Sequence, residues 1–125
     1  PQAAARLARL HRQVRRDAAR FDKLDDVHRH RLRKRLKRLR YLCEFAAPCF
    51  RGKAVRAYLK RVAPAQEALG EFNDVCVARA LLQPASAAGD AQAMYALGWL
   101  AHEHADAVRR CRAPLAALRK AEPFW

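Results

Sequence analysis

The chain has 125 residues, of which 52% are hydrophobic, and its 26 lysines and arginines outnumber 12 acidic residues to give a net charge of +14 and a pI near 10.8. That length and apolar content suit one compact domain with a core, and the dominance of Ala, Leu, Arg and Lys over β-branched residues excludes a sheet in favour of helix. No apolar run approaches the ~20 residues of a membrane span, and Pro1 to Arg6 lack the apolar core of a signal peptide.

Four helical segments are predicted. The first runs from Gln2 to Phe21, with Leu7, Leu10, Val14 and Phe21 forming one apolar stripe. Asp22 to Asp26 reads as a break, with Asp25 or Asp26 capping the next helix. The second helix spans Val27 to Ala46 and ends before Pro48; Pro48 to Gly52 is a turn. The third starts near Lys53 on Val55, Tyr58, Leu59, Val62 and Leu69, is expected to kink or restart at Pro64, and resumes through Phe72, Val75, Cys76 and Leu81 to stop near Pro84. Pro84 to Asp90 is a loop, with Asp90 capping a last helix from Ala91 to Arg112. Met94, Leu97, Leu100, Ala101, Ala105 and Val108 are expected to face inward there; Pro114 should break or bend the helix, leaving a short piece over Leu115 to Ala121. The reading is a single helical domain over residues 1–125, an antiparallel four-helix bundle joined by short connections.

The informative stretch is His28-Arg-His-Arg-Leu-Arg-Lys-Arg-Leu-Lys-Arg-Leu-Arg-Tyr41. At about 100° per residue, Leu32, Leu36, Leu39 and Cys43 make a narrow core seam. His30, Arg33, Lys34, Lys37, Tyr41 and Glu44 lie opposite it, flanked by Arg38 and Arg40. Like charges four residues apart (Arg29/Arg33, Arg31/Arg35, Arg33/Lys37, Lys34/Arg38) each cost about 0.2–0.5 kcal/mol. A helix that breaks a local rule without local compensation marks a site, and a bound polyanion would supply the compensation. His30 and Tyr41, in line with the cations, can both donate to phosphate oxygens.

These residues resemble a known family. His30-x-x-Arg33-Lys34-x-x-Lys37-Arg38-x-Arg40-Tyr41, followed by Glu44-Phe45, looks like the signature helix of the CHAD (conserved histidine α-helical) domains. Leu69-Gly70-x-Phe72-Asn73-Asp74 is similar to the family's second motif, and Gly98-Trp99-Leu100 and Pro123-Phe124-Trp125 are weaker likenesses. The resemblance implies a helical domain of two similar four-helix halves whose basic helices line a cationic groove that binds inorganic polyphosphate, with association to polyphosphate granules. This chain carries one signature helix and no initiator Met. It therefore reads as the C-terminal half of such a pseudo-symmetric domain, cut from a longer chain and completed by an upstream half or by a second copy in a homodimer.

Under that reading Arg33, Lys34, Lys37, Arg38 and Arg40 contact successive phosphates, arginine gripping two oxygens and lysine acting as a point charge. His30 and Tyr41 add hydrogen bonds. Lys53, Arg56 and Lys60 form a second basic stripe that either extends the track or is solvated surface. Asn73 and Asp74 are expected behind the ligand, Asp74 either orienting an arginine or serving only as a helix-start residue. The alternative function is non-specific nucleic-acid binding, although a face with one aromatic and no Asn or Gln offers little for reading bases.

An enzyme is not expected. His102-Glu103-His104 places its imidazoles about 200° apart, and no HExxH, GxSxG or glycine-rich phosphate loop is present. Cys43, Cys49, Cys76 and Cys111 lack CxxC spacing, and Cys43 and Cys111 fall on apolar helical positions; the reading is of buried thiols in a reducing compartment, the cytoplasm, and no metal or cofactor is expected.

Overall fold

The computed structural model describes residues 2–125; Pro1, the first residue of the span read from the sequence, lies outside them. Helix α1 spans Gln2–Ala19, α2 Asp26–Ala46, α3 Gly52–Ala87 and α4 Ala91–Arg119. One-turn 3-10 helices at Phe21–Lys23 and Ala47–Cys49 join the first three. The fold is all-helical, as the composition requires. Asp25 caps α2 by accepting from the His28 backbone N–H at 2.9 Å, and Asp90 caps α4 by accepting from that of Ala93 at 3.0 Å. Between α3 and α4 the chain reverses at Gly89, whose φ of +91° is a conformation glycine adopts without strain.

The core forms where the apolar stripes of the four helices meet. The α2 seam of Leu32, Leu36, Leu39 and Cys43 is fully buried against Leu7 and Val14 of α1, Tyr58, Val62, Ala65 and Leu69 of α3, and Ala107, Cys111, Leu115 and Leu118 of α4. A fully buried leucine contributes about 1.5–3 kcal/mol, so three on the seam outweigh the like-charge repulsion on the opposite side of the same helix. At one end the tail folds back over the bundle. Trp125 packs its ring 5.3 Å from those of both His11 and Tyr58, and Phe124 lies 5.5 Å from Tyr58. His11 is buried there, its Nδ1 2.8 Å from the Tyr58 hydroxyl and its Nε2 without a partner among the described residues. Burial, with Arg15 and then Arg12 adding their charge, lowers the His11 pKa.

Three expectations need correction. Helix α3 runs unbroken through Pro64 and past Pro84, and α4 runs unbroken through Pro114 to Arg119. A proline inside a helix costs about 3 kcal/mol. Pro64, however, sits on the solvent side between the buried Val62 and Ala65, so the carbonyl it strands faces water and the flanking contacts hold the helix together. Phe21 lies beyond the end of α1, in the 3-10 turn, yet is buried. Finally, Leu81, Met94, Ala101 and Ala105 are exposed rather than inward. Helix α3, at 36 residues, is about 54 Å long, against about 32 Å for the 21 residues of α2. The start of α2 lies level with Cys76 and His104, so the far stretches of α3 and α4 have only each other to pack on, through Ala93 and Leu100.

Candidate anion-binding face

Burying the leucine seam turns the opposite side of α2 outward. His30, Lys34, Lys37 and Arg38 are exposed, Arg33 and Arg40 are half-buried, and Tyr41 is 51% exposed. Tyr41 organises its neighbours: the Lys37 ammonium lies 5.8 Å and the Arg40 guanidinium 5.2 Å from its ring centroid, within cation–π range.

Helix α2 carries eight cations from Arg29 to Arg40, and the surrounding carboxylates divide them. Arg29 is buried. It donates to the Phe21 carbonyl at 3.2 Å, to the Asp22 carbonyl at 3.4 Å and to Asp26 at 3.2 Å, and its guanidinium lies against the rings of Phe21 and Phe72. Arg35 is tied to Asp17 of α1 at 2.6 Å. Arg40 donates to Gln66 of α3 at 3.0 Å and forms an ion pair with Glu44 at 3.3 Å. Part of the compensation assigned to a ligand in the sequence reading therefore comes from the protein itself. Among the described residues no carboxylate pairs with Arg31, Arg33, Lys34, Lys37 or Arg38.

Helix α3 flanks this face through amides. Asn73 Oδ1 lies 3.2 Å from His30 Nδ1, and Gln66 holds Arg40. The second motif thus reaches the signature helix through Asn73. Asp74 is exposed and pairs with no arginine among the described residues, so the arginine-orienting role expected for it is not seen; Asn73 occupies the turn that faces α2. The pairings His30 with Asn73 and Arg40 with Gln66 make α2 and α3 antiparallel. Lys60, Arg56 and Lys53, all exposed, are therefore set level with the end of α2 and the turn beyond it, not with Arg33 to Arg38. Arg56 folds back along its own helix, its Nη1 3.1 Å from where a Cβ on Gly52 would stand.

The other flank adds residues that the sequence reading missed. Between α1 and α2 lies a cavity of about 540 Å³ lined by Arg6, Arg9, Leu10, Gln13, Arg35, Arg38 and Leu42. It contains four arginines and no carboxylate. Arg6 and Arg9 give only a faint signal in the sequence, an i,i+3 arginine pair beside the Leu7–Leu10 stripe; the packing of α1 on α2 brings them to Arg35 and Arg38.

A comparison with known protein families matches residues 1–83 to the CHAD domain. The chain belongs to the CHAD family. The match takes in α1, α2 and α3 as far as Gln83, including both basic-helix and Asn73 motifs; the Gly98-Trp99-Leu100 and Pro123-Phe124-Trp125 likenesses fall beyond it. No curated protein and no solved structure matches the chain. The tail motif has a packing role, since Trp125 and Phe124 close the end of the core. Among the described residues no helix is long and apolar enough to cross a membrane.

Proposed function

We propose that this CHAD domain binds inorganic polyphosphate along the outward face of α2. One observation carries the reading: Arg33, Lys34, Lys37 and Arg38 stand on one exposed helix face with no carboxylate partner among the described residues, while other arginines of the same helix are paired. CHAD domains are associated with polyphosphate binding in general. Arg33, Lys34, Lys37 and Arg38 would take successive phosphates. His30, held by Asn73, and Tyr41 would donate hydrogen bonds, and Arg40, already fixed by Gln66 and Glu44, would hold Tyr41 more than it grips the chain. The polymer would then leave α2 through the cavity between α1 and α2, where Arg6, Arg9 and Arg35 extend the track. Lys53, Arg56 and Lys60 would meet only a polymer long enough to pass the end of α2.

The domain would act by binding alone, without catalysis, in the cytoplasm and on polyphosphate granules. A complementary half, upstream or from a second copy, would face the same groove. Nucleic acid would meet the same cations, but the one aromatic on the face lies beside Lys37 and Arg40, and the oxygens of the nearby amides face His30 and Arg40, leaving little to read or stack bases.

The test is titration calorimetry of long-chain polyphosphate at near-physiological salt, wild type against Arg33→Ala/Lys37→Ala/Arg38→Ala. Each lost contact should remove about 0.9 from the slope of log affinity against log salt, by analogy with duplex DNA, so three should weaken binding about 100-fold. Equal affinity for the folded triple variant, a flat salt dependence, or displacement of polyphosphate by equimolar duplex DNA would count against the proposal.

A further inference from the structure

We propose that Asp26, Cys76 and His104 form a binding site for a divalent transition-metal ion of the zinc class. The three residues come from three helices: the first turn of α2, the middle of α3 and the middle of α4. His104 Nε2 lies 2.9 Å from Asp26 Oδ2 and 3.1 Å from Oδ1, and Cys76 Sγ lies 3.8 Å from Oδ2. One donor atom from each residue falls within 4.8 Å of the other two. A tetrahedral zinc ion, with nitrogen and oxygen at about 2.0–2.2 Å and sulfur at about 2.3 Å, sets its donors about 3.3–3.6 Å apart. The two donor pairs that include Asp26 Oδ2, at 2.9 and 3.8 Å, stand within about half an ångström of those spacings, and the third pair, within 4.8 Å, closes by about 1 Å at most to admit the ion.

The donor set selects the metal. A thiolate with an imidazole and one carboxylate suits zinc and its neighbours, whereas magnesium and calcium take oxygen. Three protein ligands leave a fourth position for water, and a cleft of about 250 Å³ lined by Asp26, Cys76, Arg79, Ala80 and Gln83 gives access. The surroundings orient the ligands. Arg29 donates to Asp26 Oδ1 at 3.2 Å and leaves Oδ2, the oxygen nearest both other donors, for the ion; the Phe72 ring packs 5.2 Å from that of His104. On binding, the Cys76 S–H bond gives way to a sulfur–metal bond and the proton leaves to solvent. Asp26 and the thiolate then balance the two charges of the ion, so Arg29 and Arg79 face a neutral cluster.

Thiol nucleophilic chemistry is the competing use of such a trio, but no base hydrogen-bonds the thiol: His104 Nε2 faces the Asp26 carboxylate, and Cys76 Sγ faces that carboxylate as well. The absence of CxxC or HExxH spacing concealed the cluster, because its ligands are 50 and 28 residues apart and only the fold joins them.

The test is titration of the reduced, chelator-stripped chain with Co²⁺, whose thiolate charge-transfer and visible bands report a tetrahedral sulfur site, followed by displacement with Zn²⁺. One ion per chain is expected, with the charge-transfer band lost in Cys76→Ser and kept in Cys49→Ser, which removes the exposed thiol. His104→Ala should weaken binding by about 100-fold or more, at least the upper end of what outer-shell changes alone cost. Zn²⁺ should raise the thermal midpoint of wild type and Cys49→Ser but not of Cys76→Ser, provided that circular dichroism shows the latter folded; His104→Ala serves in its place if it is not. No charge-transfer band in the wild type, or one that survives in Cys76→Ser, overturns the proposal. The outcome is independent of polyphosphate binding, which is read by a different titration.

Discussion

The arginines of α4 and those in the middle of α2 carry the same charge in very different settings. On α4, Arg109 pairs with Asp106, Arg110 with Glu103 at 2.8 Å, and Arg112 with Asp22 at 3.1 Å. On α2, Arg33, Lys34, Lys37 and Arg38 have no such partner among the described residues. Both stretches are rich in arginine, so charge density does not separate them. What separates them is where the few acidic residues fall: Asp22, Glu103 and Asp106 pair with the arginines of α4, while on α2 Asp26, Asp17 and Glu44 take only Arg29, Arg35 and Arg40 and leave Arg33, Lys34, Lys37 and Arg38 open. An arginine with a fixed carboxylate must break that pair before it can grip a phosphate; one without loses only its water.

The comparison can be broken most sharply by exchanging the two sets. Polyphosphate affinity should fall about 100-fold in Arg33→Ala/Lys37→Ala/Arg38→Ala, and only a few-fold in Arg109→Ala/Arg110→Ala/Arg112→Ala, although both lose three charges. Equal losses in calorimetry would mean that net charge alone drives binding. Within α2 itself, Arg29→Ala should destabilise the fold by about 2 kcal/mol in a denaturant titration, because the Phe21 and Asp22 carbonyls lose their buried donor. Arg38→Ala, on the same helix, should leave stability within about 0.5 kcal/mol of wild type. A smaller effect is expected from the amide flank. Asn73→Ala frees His30 and should weaken polyphosphate binding about threefold, the worth of one modest hydrogen bond, while Asp74→Ala leaves it unchanged. The reverse order in that pair would restore the arginine-orienting role to Asp74.

The smallest expected effect lies in the buried core, at His11. The folded chain holds His11 neutral below its ordinary pKa of 6.5, so between the folded and unfolded values the unfolded chain binds the extra proton. Its contribution to stability is present above pH 6.5 and is lost as the pH falls below it. A thermal midpoint that declines under mild acid in wild type and less steeply in His11→Asn checks this.

Much of the fold was legible in the chain. Leu32, Leu36, Leu39 and Cys43 were placed on the seam by spacing alone, because a helix repeats its faces every 3.6 residues wherever it packs. The caps at Asp25 and Asp90 were equally visible, since capping is a contact within three residues. The prolines misled because a local rule gives their cost and not what the flanking contacts offset. Leu81, Met94, Ala101 and Ala105 misled for a related reason: an apolar stripe is buried only where another helix lies over it. Of the candidate site, the cation face of α2 was legible, whereas Arg6, Arg9 and the Asp26–Cys76–His104 cluster were not.

The sequence by itself determined that this protein is helical and that α2 has one leucine side and one cationic side, and it pointed to a polyanion as the partner of such a charge. Those properties follow from composition and from contacts a few residues apart. The tertiary structure decided which of the eight cations of α2 stay unpaired, because Asp17 meets Arg35 across 18 residues of chain. It also decided that Asn73 rather than Asp74 reaches His30, and that a carboxylate, a thiol and an imidazole from three helices share one point. Each of these depends on the register of one helix against another, which is fixed by packing of the whole core and written in no single stretch of residues.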